Sequence, residues 1–294
     1  MLPLFKKIGL LRVNKMTSHE KKVEKFYSHG SDIRSLQGGG FLSFGIWRED
    51  TADYQQAATD LLMMLLENEH PLNRGTILNV ACGYGTETFE IYKRLSPENI
   101  IAIDITEAHI NFARKRAEDQ NLSQKIVFEK QDACILPYKS GSFSYVIGIE
   151  GPAHFNTREK FLRRSFDVLE SGGVILLTDI IVNRGNAKRQ PINFWIGRRA
   201  ARLWHMPEAN WMTIAEIVKL IESIGFRVDI ARGMGNKVYP GFASNNTKMP
   251  SILNAIKTRG IFIGLGLTLI SWLLGWAFRR GMIDYAFIRA VKDQ

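Results

Sequence analysis

Cysteine is nearly absent: the chain of 294 residues holds two, Cys82 and Cys134. They stand far apart, in no CxxC pair and beside no histidine cluster, so neither a disulfide framework nor a zinc site is expected, and no metal. Two unpaired thiols suit a reducing cytoplasm. Acidic residues are also scarce, 29 against 39 basic ones. The formal charge of +10 and pI near 9.6 point to an acidic partner, whether nucleic acid, an anionic membrane face or a phosphorylated small molecule. The sequence has no internal repeat and no low-complexity tract. Its 45% apolar content fills the core of one large α/β domain with a cap, which excludes disorder. No small-residue cleavage site follows the opening MLPLFKKIGLLRVNK, and lysines break its apolar run. Secretion is therefore not expected; the stretch reads as a frayed terminus, with an amphipathic surface anchor as the alternative.

From residue 76 short β-rich runs alternate with helical ones: TILNVA, TETFEIYKRL, NIIAIDI, EAHINFARKRAEDQ, KIVFEK. This alternation predicts βαβ units around a parallel sheet. SYVIGIE and VILLTDIIV continue it, with the helix REKFLRRSFDVLE between them stopping at Ser171-Gly172-Gly173. A sixth strand, FRVDIARGM, follows the amphipathic helix WMTIAEIVKLIESIGF, and MIDYAFIRAVK is the last. Residues 1–70 read as a helical cap, with TADYQQAATDLLMMLLE its clearest helix. Residues 71–184 form the binding core, 185–215 a cap insertion, and 216–294 the rest of the core with a hydrophobic cap helix at about 251–280.

The glycines of ACGYGT stand between the first strand and its helix. They supply turn freedom, and at a strand's carboxyl end they also let a ligand approach the backbone. Asp104 ends the next strand, 19 residues after Gly85, where a carboxylate accepts from ribose hydroxyls; Asp132 follows the third, placed for an adenine amino group. Together they describe an adenosine-containing ligand. A dinucleotide site needs a third glycine for its pyrophosphate, and Thr88 occupies that position. S-adenosylmethionine has no phosphate and loses nothing by it.

The block 76–182 resembles the class I S-adenosylmethionine-dependent methyltransferases. ILNVACGYG resembles their first motif, IAIDIT carries the ribose-binding acid, QDACILPYKSGSFSYV resembles the adenine-contacting segment, and VLESGGVILLTDIIV the fifth strand. The resemblance implies a doubly wound, mostly parallel seven-stranded Rossmann-like sheet with an antiparallel last strand. It implies S-adenosyl-L-methionine held by Asn79, Ala81, Cys82, Gly83, Gly85, Asp104, Ile105, Gln131, Asp132 and Ala133. Asn79 stands where the family carries an acid, Ala81 where it carries a glycine, and Ser144 where it carries an aspartate. FLSFGIWRED resembles an N-terminal turn whose aromatic lies over the donor, which nominates Trp47, with Tyr27 beside it.

Methyl transfer is an in-line displacement, so the protein chiefly aligns the reactants. In detail the sequence is similar to natural-product sugar and macrolide O-methyltransferases, in which a stretch like ES-x-x-H ends the fourth strand. Here IGIEGPAHF offers Glu150 and His154. The resemblance makes His154 the base, with Asp179 after the fifth strand as its partner; Glu150 is a candidate for catalysis and for donor binding. A binding-only role for His154 is the alternative.

Residues 261–278, IFIGLGLTLISWLLGWAF, carry no charge and are bracketed by Lys257, Arg259, Arg279 and Arg280. Eighteen helical residues span about 27 Å, near a bilayer's hydrocarbon thickness. A single crossing would strand the last β-run on the wrong side, so the segment reads as a cap or interfacial helix, with burial or a homodimer contact as the alternative. In the second cap segment Arg198, Arg199 and Arg202 stand among Trp195, Trp204 and Trp211. A charge run is usually a solvated face, but these arginines also suit a phosphate or diphosphate head. Nucleic acid is not expected, since no separate RNA-binding module is present. The expected protein is a cytoplasmic, membrane-peripheral methyltransferase acting on an oxygen of a lipophilic small molecule. Carbon methylation of an isoprenoid or prenyl diphosphate, a methyltransferase-fold cyclase and a non-catalytic membrane-binding module are the rivals.

Overall fold

Strands form where β-branched runs stand between turn residues, and they build one sheet. The computed structural model describes residues 16–28, 39–70, 75–183, 195, 197–199, 201–202 and 204–293. The opening basic stretch and its expected surface anchor lie outside the described residues. The strands are β1 (Thr76–Val80), β2 (Asn99–Asp104), β3 (Ile126–Lys130), β4 (Phe143–Ile149), β5 (Leu169–Val182), β6 (Phe226–Gly233) and β7 (Ile283–Lys292). Their order is β3-β2-β1-β4-β5-β7-β6, and β7 alone runs antiparallel to its neighbours. β1 and β4 are fully buried, as central strands with helices on both faces must be. From β1 the chain winds outward to β3 and then returns to β4, so the switch point between β1 and β4 opens a crevice at their carboxyl ends.

Before the sheet come α1 (Ser18–Ser28) and α2 (Tyr54–Leu65). Around it lie α3 (Thr86–Leu95), α4 (Glu107–Asp119), α5 (Arg158–Val168) and α6 (Ile214–Ile224). Local signals place several ends: Asp53 caps α2, and α6 runs from the Thr213/Glu216 capping box to a left-handed Gly225. The α5 helix stops earlier than its sequence suggests. Leu169 is already extended and pairs with Phe143, so the glycines at 172 and 173 lie within β5, beside a register shift in its pairing with β4.

Between β6 and β7 stand three helices, α7 (Gly235–Asn246), α8 (Met249–Arg259) and α9 (Ile261–Arg279). The sequence led to one cap helix there; the structure has a break at Gly260, whose φ of +85° interrupts the run. α7 carries Pro240 in its interior and has no sequence signature. Packing makes it: Gly241 lies against Trp47, where a Cβ would come within 2.1 Å of the Trp47 Cβ, and Trp47 N–H donates to Lys237 O at 2.7 Å. β7 re-enters the sheet beside β6, so α9 leaves from and returns to one side of the molecule.

Candidate active site

The carboxyl ends of the strands open into a cavity of about 890 Å³. That is near the top of the range of roughly 300–1,000 Å³ for small-molecule sites, with room for a cofactor and a second ligand. The β1 turn contributes Ala81, Cys82 and Gly83, the end of β2 Asp104 and Ile105, and the end of β3 Gln131, Asp132 and Ala133. Beyond β4 stand Glu150 and His154, with Tyr27 of α1 facing them. Ten of the residues expected for the cofactor thus share one wall system with the expected base.

Trp47, Asn79, Gly85 and Asp179 do not line this cavity. Asn79 is sealed beneath it, donating to Ile147 O at 3.1 Å and accepting from the Thr88 hydroxyl at 2.7 Å. The threonine that excluded a pyrophosphate therefore serves the residue that replaced an acid. Gly85 packs on Phe128, whose ring a Cβ would meet at 2.8 Å. Trp47 braces α7 and donates from its ring to Phe44 O at 2.9 Å. Asp179 is held by Arg158, with Nη2 at 2.6 Å and both side chains almost wholly buried.

Asp104 is built as an acceptor. Its Oδ2 accepts from Gly83 N–H at 2.9 Å and its Oδ1 from Thr106 N–H at 2.8 Å. Burial pushes its carboxyl up, but His109 and the Thr106 and Gly83 N–H groups outweigh this and hold it below its ordinary value. Asp132 accepts from Cys134 N–H at 2.8 Å, and its burial raises its carboxyl. Burial likewise pushes the Cys82 thiol up, which makes it a wall and not a nucleophile.

Glu150 adopts φ of +58°, uncommon for a residue with a side chain and a sign that the surroundings force its direction. Its Oε1 accepts from Phe44 N–H at 2.8 Å and lies 2.7 Å from the Tyr285 hydroxyl. Burial first, then the charges of Glu87 and Asp179, push its carboxyl up to about 8, against the lowering by Phe44 and Tyr285. Glu87, in the first turn of α3, lines the same cavity, and burial pushes it up to about 7. It was missed because an acid in a first turn ordinarily complements the helix dipole. Thr106, His109, Tyr84 and His205 were likewise not expected; of the FLSFGIWRED turn, residues 41–44 line the cavity in place of Trp47.

His154 Nε2 lies 3.0 Å from the Tyr27 hydroxyl, while Nδ1 is buried without a hydrogen-bond partner among the described residues. Burial lowers its imidazole to about 4, so the ring is neutral at neutral pH. Ser43 Oγ on the same wall is likewise buried without a hydrogen-bond partner among the described residues, whereas His109 Nδ1 lies 3.6 Å from Asp104 Oδ1 and acts on that carboxylate. Buried polar atoms without partners inside a cavity mark where a ligand would complete the bonding.

The family model described as "Methyltransferase domain" matches residues 73–226. The chain belongs to this methyltransferase family. It is 27% identical to the erythromycin 3''-O-methyltransferase of Saccharopolyspora erythraea over 68% of this chain and 65% of that relative. It is 29% identical to the 27-O-demethylrifamycin SV methyltransferase of Amycolatopsis mediterranei, over 55% and 59%. The matched region thus spans about 60–65% of these relatives' length. Among solved structures it shares the fold of geranyl diphosphate C-methyltransferase from Streptomyces coelicolor A3(2), with a TM-score of 0.76, 13% identity and coverage of 95% and 100%.

S-adenosylmethionine is the cofactor of this methyltransferase family, and the cavity fits it. Asp104 and the Gly83 backbone suit the adenosyl part, Glu87 and Glu150 offer buried carboxyls to a cation, and Ser43 Oγ and His154 Nδ1 are buried on its wall without hydrogen-bond partners among the described residues. The arginines proposed for a phosphate head are elsewhere: Arg198 and Arg202 pair with Glu208, and Arg199 stacks on Trp195.

Proposed function

We propose that this methyltransferase acts in specialised metabolism, moving a methyl group from S-adenosylmethionine to a hydroxyl oxygen of a hydrophobic small molecule. The observation that carries this reading is the continuity of one cavity from Asp104 and Gly83, past Glu150 and His154, to the apolar side chains of Phe44, Trp204, Phe242 and Leu267. The likeness to the erythromycin 3''-O-methyltransferase and the 27-O-demethylrifamycin SV methyltransferase supports an oxygen acceptor.

S-adenosylmethionine, when bound, supplies an electrophilic methyl carbon on a sulfonium and leaves as a neutral thioether. Asp104 would hold the ribose hydroxyls with lone pairs beyond those that Gly83 and Thr106 use. Glu87 and Glu150 would meet the cationic part in their ionised forms. His154 takes the hydroxyl proton as the new C–O bond forms. A weak base suffices for this step, because an oxygen gaining an alkyl group becomes strongly acidic. Tyr27 fixes the imidazole through Nε2 at 3.0 Å, so that the ring is held on the cavity wall where the acceptor hydroxyl would arrive. The aromatic and aliphatic walls exclude water and align the acceptor.

Incubation with donor labelled in its methyl group and a hydrophobic metabolite extract is expected to yield a product one methyl heavier, with the label on oxygen, and one equivalent of S-adenosylhomocysteine. A labelled carbon would mean carbon methylation, and a rearranged product without label would mean cyclisation; either overturns the oxygen-acceptor reading.

The raised carboxyls predict a pH dependence for donor binding. A cation binds their ionised forms, so protons near Glu87 and Glu150 compete with it. Affinity is expected to rise about tenfold or more between about pH 6 and pH 8.5 and then level off, as both groups lose their protons through about 7 and 8. Glu87→Gln is expected to weaken binding at pH 8.5 and to remove part of that slope. Titration calorimetry across the range measures both, and a slope unchanged in Glu87→Gln refutes the role of Glu87.

A further inference from the structure

α9 is apolar on the wrong side for a helix that covers a soluble core. Its buried residues are mostly small, Gly264, Ser271, Gly275 and Ala277 with Leu274, while large side chains face out. Gly264 lies against the α8 backbone, where a Cβ would meet Ile256 N at 2.6 Å, and Gly275 against Ala243 of α7 at 2.7 Å. Close backbone approach through small residues holds these helices together, as in helices packed within lipid. Phe262, Leu265, Leu269 and Trp272 repeat at helical spacing on the outer face, with Phe262 90% exposed. Of the twelve large hydrophobic side chains exposed among the described residues, eight lie between Met249 and Trp272. A patch of this kind marks an interaction surface.

Charge selects the occupant. Residues 234–283 hold six basic side chains, Lys237, Lys248, Lys257, Arg259, Arg279 and Arg280, and no aspartate or glutamate, in a chain with 29 acids. Lys248, Lys257, Arg279 and Arg280 are exposed near the ends of α8 and α9. A second copy of this chain would bring the same cations face to face, whereas an anionic bilayer answers both the apolar ridge and the basic ends. Strand β7 returns beside β6, so the helix lies on the surface and does not cross it. The same two helices also form a cavity wall, through Ser251 and Asn254 of α8 and Ile263, Leu267 and Ile270 of α9.

We infer that the α8–α9 hairpin docks on an anionic phospholipid membrane, with the apolar ridge of α9 in the headgroup–acyl boundary and the cavity wall turned toward the lipid. The hairpin then gives the acceptor a path from the bilayer to His154. That path rests on the proposed function; the docking does not.

Flotation with vesicles of phosphatidylcholine containing about one-third phosphatidylglycerol tests the docking without any turnover. The full chain is expected to float with these vesicles and to partition about tenfold more weakly to pure phosphatidylcholine or at high salt. Phe262→Glu and Leu269→Glu, neither of which lines the cavity, are each expected to lower partitioning about tenfold or more. Met63→Glu, at an exposed apolar position on α2, is expected to leave it unchanged. Circular dichroism and saturable heat with S-adenosylmethionine confirm that each variant is folded. A folded, donor-binding wild type that ignores the vesicles overturns the docking and leaves the proposed function standing; docking without donor heat does the reverse. A concentration-dependent dimer that Phe262→Glu dissolves, with no vesicle binding, assigns the ridge to a second copy and overturns the inference.

Discussion

His154→Ala is expected to lower kcat by about 10²- to 10⁴-fold, the usual contribution of a positioned proton acceptor, while the donor Kd stays within about threefold. The split follows from where the ring stands. It lies past the end of β4, on the cavity wall with Glu150 and two strands along the sheet from the end of β2, where Asp104 would hold the adenosyl part. Its neutral state is secured by burial, with the imidazole lowered to about 4. At saturating donor, kcat should therefore show no inflection near the ordinary histidine value, while the rise of donor affinity through about 7 to 8 belongs to Glu87 and Glu150. Tyr27→Phe keeps the ring but removes its 3.0 Å partner, so its loss in kcat is expected to be smaller, about tenfold. Single-turnover kinetics beside donor titration separates these quantities. Parallel losses in kcat and in donor affinity in His154→Ala would remove the histidine from the chemistry.

The second large effect concerns Asp179, and it is on stability. Asp179→Ala is expected to cost about 3–5 kcal/mol, the penalty for leaving a buried cation without its counter-charge. Arg158 is 1% exposed and points Nε and Nη2 at Asp179 Oδ2, at 2.8 and 2.6 Å. Its Nη1 also donates to Asn210 O, and its backbone N–H donates to Asn210 Oδ1 at 2.8 Å. Asn210 Nδ2 in turn donates to Ala153 O and Phe155 O, at 3.1 and 2.7 Å. The carboxylate therefore reaches His154 through an arginine and an asparagine that grip both sides of the histidine's loop. We propose that it is a positioning residue. The double variant Arg158→Met/Asp179→Leu removes both charges and is expected to be more stable than either single change. Urea unfolding of the three proteins measures the coupling, and a single Asp179→Ala cost below about 1 kcal/mol would rule out the pair as a stability element. A kcat loss in Asp179→Ala that the double variant restores would separate positioning from proton transfer.

The strands, most helices and the family were legible from the residues alone, because each rests on short-range regularities. Apolar runs of strand length, the Thr213/Glu216 capping box and the Gly225 stop act within a few residues of themselves. The ribose acid was legible for the same reason, being a fixed step from a glycine turn. α7 was not, since Pro240 and Gly241 argue locally against a helix and only Trp47, almost two hundred positions earlier, makes the glycine necessary. Nor was the break at Gly260, where a positive φ turns one apolar run into two helices.

By itself the sequence determined a seven-stranded α/β sheet, an adenosine-binding turn without a place for pyrophosphate, and a basic, acid-free apolar segment near the end. Only the tertiary structure decided which polar groups meet. It sealed Asn79 under Thr88, gave Asp179 to Arg158, and brought Glu87 of the first helix after β1 beside Glu150 at the end of β4. The reason is that strand and helix periodicity is written into neighbouring residues, whereas the partner and protonation of a buried side chain depend on which distant element excludes its water.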